Sequence, residues 1–180
     1  RAHGFFYIQH HGVPMELQQD LDRQARAFFA LSAEEKLRIG MAQGGKAWRG
    51  FFLVGGEMTS GVPDQKEGIY FGEELPDGDR PMHGANLFPQ QPDMRRNVLD
   101  YMERLTELGH IILGAIAASL GLEPDHFGAQ FVHPLTLFRI FHYPVHDQKY
   151  GSESFGVGEH TDYGYLTLLM QVRISSLLAY

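Results

Sequence analysis

The chain has 180 residues, 43% of them apolar, which suits one packed domain or a small helical part joined to part of a larger β domain. Its net charge of −7, with the acids spread along the sequence, gives no electrostatic reason to expect nucleic acid or an anionic membrane as a partner. The absence of cysteine excludes disulfides and thiolate metal sites, leaves any metal to nitrogen and oxygen ligands, and makes a cytoplasmic setting the expectation.

The chain opens on Arg1 and is already strand-like by Gly4, so upstream sequence is expected to have been lost. The run GFFYIQHHGVP predicts a short aromatic strand ending in a turn at Gly12, with Pro14 opening a helix at its first position. Leu17, Leu21, Ala25 and Phe28 or Phe29 recur at helical spacing and carry that helix to about Ala30. Ser32 and Glu35 then stand at capping-box spacing and predict a second short helix. Residues 40–63 are glycine-rich around Trp48, Phe51 and Phe52, aromatics read as core rather than as a pocket wall. DQKEGIYFG at 64–72 reads as a strand and the proline-rich segment 73–93 as a surface loop.

From Met94 to Leu120 the stripe Val98, Met102, Leu105, Leu108, Ile112, Ile116 and Leu120 predicts the longest helix, closed by Gly121, with one further helical turn beginning at EPDHF. Its most apolar part, IILGAIAA at 111–118, falls far short of the ~18 residues that span a bilayer. After residue 134 the grammar changes. LTLFRIFHYP (135–144), FGVGEHTDYG (155–164) and YLTLLMQ (165–171) are β-branched and aromatic runs broken by glycine and proline, which predicts strands, with Leu168 and Met170 in the core.

His160 and Asp162 stand two apart in the second of these runs. Residues i and i+2 of a strand share a face, so an imidazole and a carboxylate can reach one point there. A further imidazole would complete the facial triad typical of non-haem Fe(II) oxygenases, which leaves three metal positions open. Chance supplies about 0.6 His-x-Asp in a chain of this composition, so the spacing decides nothing without its neighbours.

The neighbours do more. GVGEHTDYGYLTLLMQ resembles the first-ligand motif of the isopenicillin N synthase-like branch of the iron(II)/2-oxoglutarate-dependent dioxygenase superfamily. LFRIFHYP resembles the strand of that family ending in Tyr-Pro, and GFFYIQHHGVP resembles its N-terminal opening. The resemblance implies an α+β fold, with an N-terminal helical region followed by part of a double-stranded β-helix (jelly-roll) core. Its implied divisions are an N-terminal region over 1–93, a spine helix and connector over 94–134, and a partial β-helix domain over 135–180. It also implies Fe(II), O2 and 2-oxoglutarate, with His160 and Asp162 as metal ligands and Tyr143 as a hydrogen-bond partner of 2-oxoglutarate. The implied reaction couples oxidative decarboxylation of 2-oxoglutarate to hydrogen abstraction from a small organic substrate.

Other histidines fit less well. His10 and His11 are adjacent, cannot converge on one ion from a strand, and read as turn residues, while His142 and His146 read as exposed loop residues. The family's distal histidine and its Arg-x-Ser lie well beyond the aspartate, whereas only 18 residues follow Asp162 and none is histidine. The Arg-x-Ser at 173–175 comes too early to serve. The expectation is therefore a chain that ends before the barrel closes, with weak iron and 2-oxoglutarate binding and open β edges available for self-association. Two other readings stay open: an inactive fragment acting through protein contacts, and an oxygenase of the same fold that does not use 2-oxoglutarate.

Overall fold

The computed structural model describes residues 4–76, 80–132, 134–144 and 156–172. Two helices begin the fold, α1 (Met15–Phe29) and α2 (Ala33–Leu37). Pro14 occupies the cap of α1 rather than its first turn, one position from the sequence expectation. The capping box of α2 forms as read, with the Ser32 hydroxyl accepting from the Glu35 amide and the Glu35 carboxylate accepting from the Ser32 amide. The long helix α3 (Met94–Ser119) ends at Gly121, whose φ of +78° permits a Schellman closure: Gly121 N–H donates to Ala118 O and Leu122 N–H to Ala117 O. After it, EPDHF makes a turn that runs into a 3-10 turn at Gly128–Gln130.

The sheet is antiparallel, with β4 (Glu67–Gly72) between β1 (Gly50–Phe52) and β5 (Leu137–His142). Register places Ile69 opposite Ile140 and Tyr70 opposite Arg139. Alternation along the strands divides the sheet into two faces. Ile69 and Phe71 point with Phe51, Phe138 and Ile140 toward Leu17, Leu21 and Phe28 of α1 and Met94, Val98, Tyr101 and Met102 of α3, and this layer is the core. Tyr70, Phe52 and Phe141 cluster edge-on elsewhere on the sheet, with ring centroids 5.4–6.3 Å apart, and Phe141 leads on to Tyr143. Every residue of β4 is buried because both of its faces are covered.

A separate hairpin, β2 (Met58–Thr59) with β3 (Val62–Pro63), turns through Ser60 and Gly61, both at positive φ, as tight two-residue hairpin turns require. The glycine-rich composition of 40–63 hides both this hairpin and β1.

Several expected elements are absent from the described residues. Residues 4–14, 156–164 and 165–171 form no strand, because no described strand lies beside them to complete a ladder. Phe5, Phe6 and Tyr7 are accordingly exposed. Met170 is also exposed rather than core, with its sulfur against the Tyr101 hydroxyl. Trp48, read as core, follows a 3-10 turn with φ 54° and faces solvent, whereas Phe51 and Phe52 are buried as expected. No helix among the described residues is long and apolar enough to cross a membrane.

Candidate metal centre

The Gly156–Asp162 segment is seated by two glycines that no larger residue could replace without movement. A Cβ on Gly156 would lie 2.8 Å from the Tyr143 ring, and one on Gly158 would lie 2.2 Å from Ser60 Oγ and 3.1 Å from Thr59 O. The β2–β3 turn and the end of β5 therefore set the path of the backbone that delivers His160. Gly158→Ala should force that segment off the hairpin, lowering stability by about 1–3 kcal/mol in denaturant titration.

Beneath the segment lies a buried ionic cluster. Lys66 Nζ is 2.7 Å from Asp64 Oδ2 and 3.1 Å from Glu57 Oε2, and stands over the Phe141 ring at 4.9 Å. Thr59 Oγ1 donates to Asp64 Oδ2 at 2.7 Å, and the Gly158 amide points at Asp64 Oδ1 at 3.5 Å. Burial acts to raise the Asp64 carboxyl, but hydrogen bonds from Lys66 and Thr59, with the Lys66 charge, outweigh it and hold the group below its ordinary value. The Tyr70 hydroxyl donates to Glu57, and burial, followed by that hydrogen bond, pushes the phenol up.

At the surface of this platform His160 Nε2 and Asp162 Oδ1 lie 3.5 Å apart, each side chain about half exposed. His160 Nδ1 is 2.8 Å from Gly158 O. A carbonyl only accepts, so Nδ1 carries the proton and, in the neutral ring, Nε2 presents its lone pair beside the carboxylate. Asp162 Oδ2 accepts from Thr167 Oγ1 at 2.6 Å, leaving Oδ1 on the imidazole side. The pair converges even though no strand forms there.

This donor set suits a divalent metal that takes imidazole and carboxylate, such as Fe(II). Two ligands at ~2.1 Å and a right angle sit about 3 Å apart, close to the separation observed. Among the described residues no group of three His, Cys, Asp or Glu side chains gathers at one point, so the pair has no third partner there.

Tyr143 sits against Gly156 rather than against the ligands, half exposed, and makes no hydrogen bond to His160 or Asp162. Burial raises its phenol, with nearby Lys66 acting the other way. His142 is the last residue of β5 rather than a loop histidine, and its Nδ1 lies 2.8 Å from Glu67, itself paired with buried Lys36 at 2.8 Å. His10 lies at φ 56° and His11 Nδ1 accepts from Val13 N–H, consistent with their reading as turn residues. His146 and the Arg-x-Ser at 173–175 lie outside the described residues. Sequence reasoning missed Thr167, whose only signal was its place five residues after Asp162, and the Asp64–Lys66–Glu57 cluster, in which Glu57 meets the other two only through the hairpin.

Residues 1–91 match the family described as non-haem dioxygenase in morphine synthesis, N-terminal. A Dictyostelium discoideum protein named "probable iron/ascorbate oxidoreductase" is 42% identical over 97% of this chain and 56% of its own length. The 2-oxoglutarate-dependent dioxygenase caaD of Aspergillus niger is 32% identical over 94% of this chain and 54% of its own length. Among solved structures, a full-length Neurospora crassa protein in complex with alpha-KG superposes with a TM-score of 0.72 at 25% identity, covering 89% of this chain and 52% of that one. The chain thus spans about half the length of the relatives it matches. The α+β architecture is that of the 2OG-Fe(II) oxygenases, with its sheet as part of their jelly roll. From its matched N-terminal half to its sheet, the chain belongs to the iron(II)/2-oxoglutarate-dependent dioxygenase superfamily.

Proposed function

We propose that the chain is part of an Fe(II)- and 2-oxoglutarate-dependent oxygenase of the cytoplasm acting on a small organic substrate, with His160 and Asp162 as two of the metal ligands. The observation that carries this is the His160 Nε2 to Asp162 Oδ1 pair at 3.5 Å, with the ring proton held on Nδ1 by Gly158 O. Names of relatives support the co-substrate, and the chemistry of the donors supports the metal. The ligand-bearing part of the chain is then residues 135–180, reached through the spine helix from the region 1–93.

Each residue has a task in this reading. His160 and Asp162 bind the ion, Gly158 fixes the tautomer, and the Tyr143 phenol donates a hydrogen bond to a co-substrate carboxylate. Phe52, Tyr70 and Phe141 form an edge-on cluster that backs the Tyr143 ring through Phe141. Fe(II), when bound, supplies the activation of O2.

The test adds 2-oxoglutarate to Fe(II)-loaded protein without oxygen and follows the visible absorbance. A saturable new band, with roughly tenfold weaker 2-oxoglutarate binding in Tyr143→Phe, is expected. A second reading, an oxygenase that takes its electrons from ascorbate, is favoured by the name of the relative at 42% identity. That reading predicts no spectral response to 2-oxoglutarate in protein that holds Fe(II).

A further inference from the structure

The two oxygens of Asp162 have different surroundings. Oδ2 accepts from the Thr167 hydroxyl at 2.6 Å, a short charge-assisted bond, while Oδ1 lies beside His160 Nε2 at 3.5 Å. Asp162 is about half exposed and belongs to no strand, so packing does little to hold its carboxylate. Thr167 comes back to it from five residues downstream, across the bend at Tyr163–Tyr165, and no other described side chain hydrogen-bonds Oδ2.

We infer that Thr167 is a positioning residue, whose hydroxyl occupies Oδ2 and so presents Oδ1 as a single-oxygen metal ligand beside His160. The inference rests on the reading of His160 and Asp162 as ligands. The hydroxyl fixes the rotation of the carboxylate before the ion arrives, and by engaging Oδ2 it disfavours binding through both oxygens. A carboxylate bound through one oxygen keeps one more coordination position for co-substrate. Groups that orient a metal ligand in this way are typically worth 10- to 100-fold in metal affinity.

Two substitutions separate the hydroxyl from the shape of the side chain. Thr167→Val keeps the branched shape without the donor, and Thr167→Ser keeps the donor. Thr167 is exposed, so neither should disturb the fold, which thermal unfolding checks. Co(II) is titrated into the whole chain and its visible ligand-field bands report affinity and coordination. Thr167→Ser should bind as wild type does, whereas Thr167→Val should bind roughly 10- to 100-fold more weakly with altered band shape. Wild-type binding by Thr167→Val, or equal losses in both variants, would overturn the positioning role while leaving the ligands in place. Co(II) binding that survives His160→Ala unchanged, or no binding at all, would overturn the ligand reading and this inference with it.

Discussion

Asp64→Ala is expected to lower stability by about 3 kcal/mol, a fall of roughly 6–12 °C in Tm for a chain of this size. The cause is the charge left behind. Lys66 is 4% exposed, and Asp64 is its shorter ion-pair partner at 2.7 Å. Glu57 at 3.1 Å remains, which keeps the loss at the lower end of the range for an orphaned buried charge. The same substitution removes the acceptor of the Thr59 hydroxyl and the carboxylate facing the Gly158 amide, so the hairpin loosens and the seat of the His160 segment with it. Metal binding at His160 should weaken in parallel.

The pH dependence follows from the depressed carboxyl. The folded value lies below the unfolded one of ~3.9, so the unfolded chain binds the extra proton first. The stability contributed by Asp64 is then fully present above about pH 4 and lost as pH falls through the folded value. Denaturant titrations of wild type and Asp64→Asn should converge toward the acid end of this window and diverge above it. A stability difference independent of pH between 2 and 6, roughly the span over which such a carboxyl titrates, would contradict the assignment.

What could be read in the sequence divides along physical lines. The helices were legible because their signals are local: the capping box at Ser32 and Glu35, the stripe from Val98 to Ile112, and the left-handed stop at Gly121 all act within a few residues. Strands β4 and β5 were legible because their runs are aromatic and β-branched, with Ile69 and Phe71 in the core and Phe138 and Ile140 packed against it. Strand character elsewhere was overread. GFFYIQ and YLTLLMQ have strand composition, but a strand exists only with a neighbour, and no described neighbour lies beside them. Strand β1 was missed in the opposite way, since Gly50–Phe52 looks like loop until β4 pairs with it. In the site, the two proposed donors, His160 and Asp162, could be named from the motif around them. Their supports could not, because Thr59, Asp64 and Gly158 are brought together by tertiary packing across 94 residues.

The largest effect is expected at the metal centre. His160→Ala and Asp162→Ala should each lower Fe(II) affinity by at least about 100-fold, more than any residue acting from outside the coordination sphere. Because two ligands of one ion act as a unit, the double variant should be little weaker than either single one. Anaerobic Fe(II) titration of the four forms by calorimetry measures this directly. Measurable, saturable binding by wild type that is lost in both single variants and not lost twice in the double is the predicted result. Unchanged Fe(II) affinity after removal of either the His160 imidazole or the Asp162 carboxylate would contradict the account.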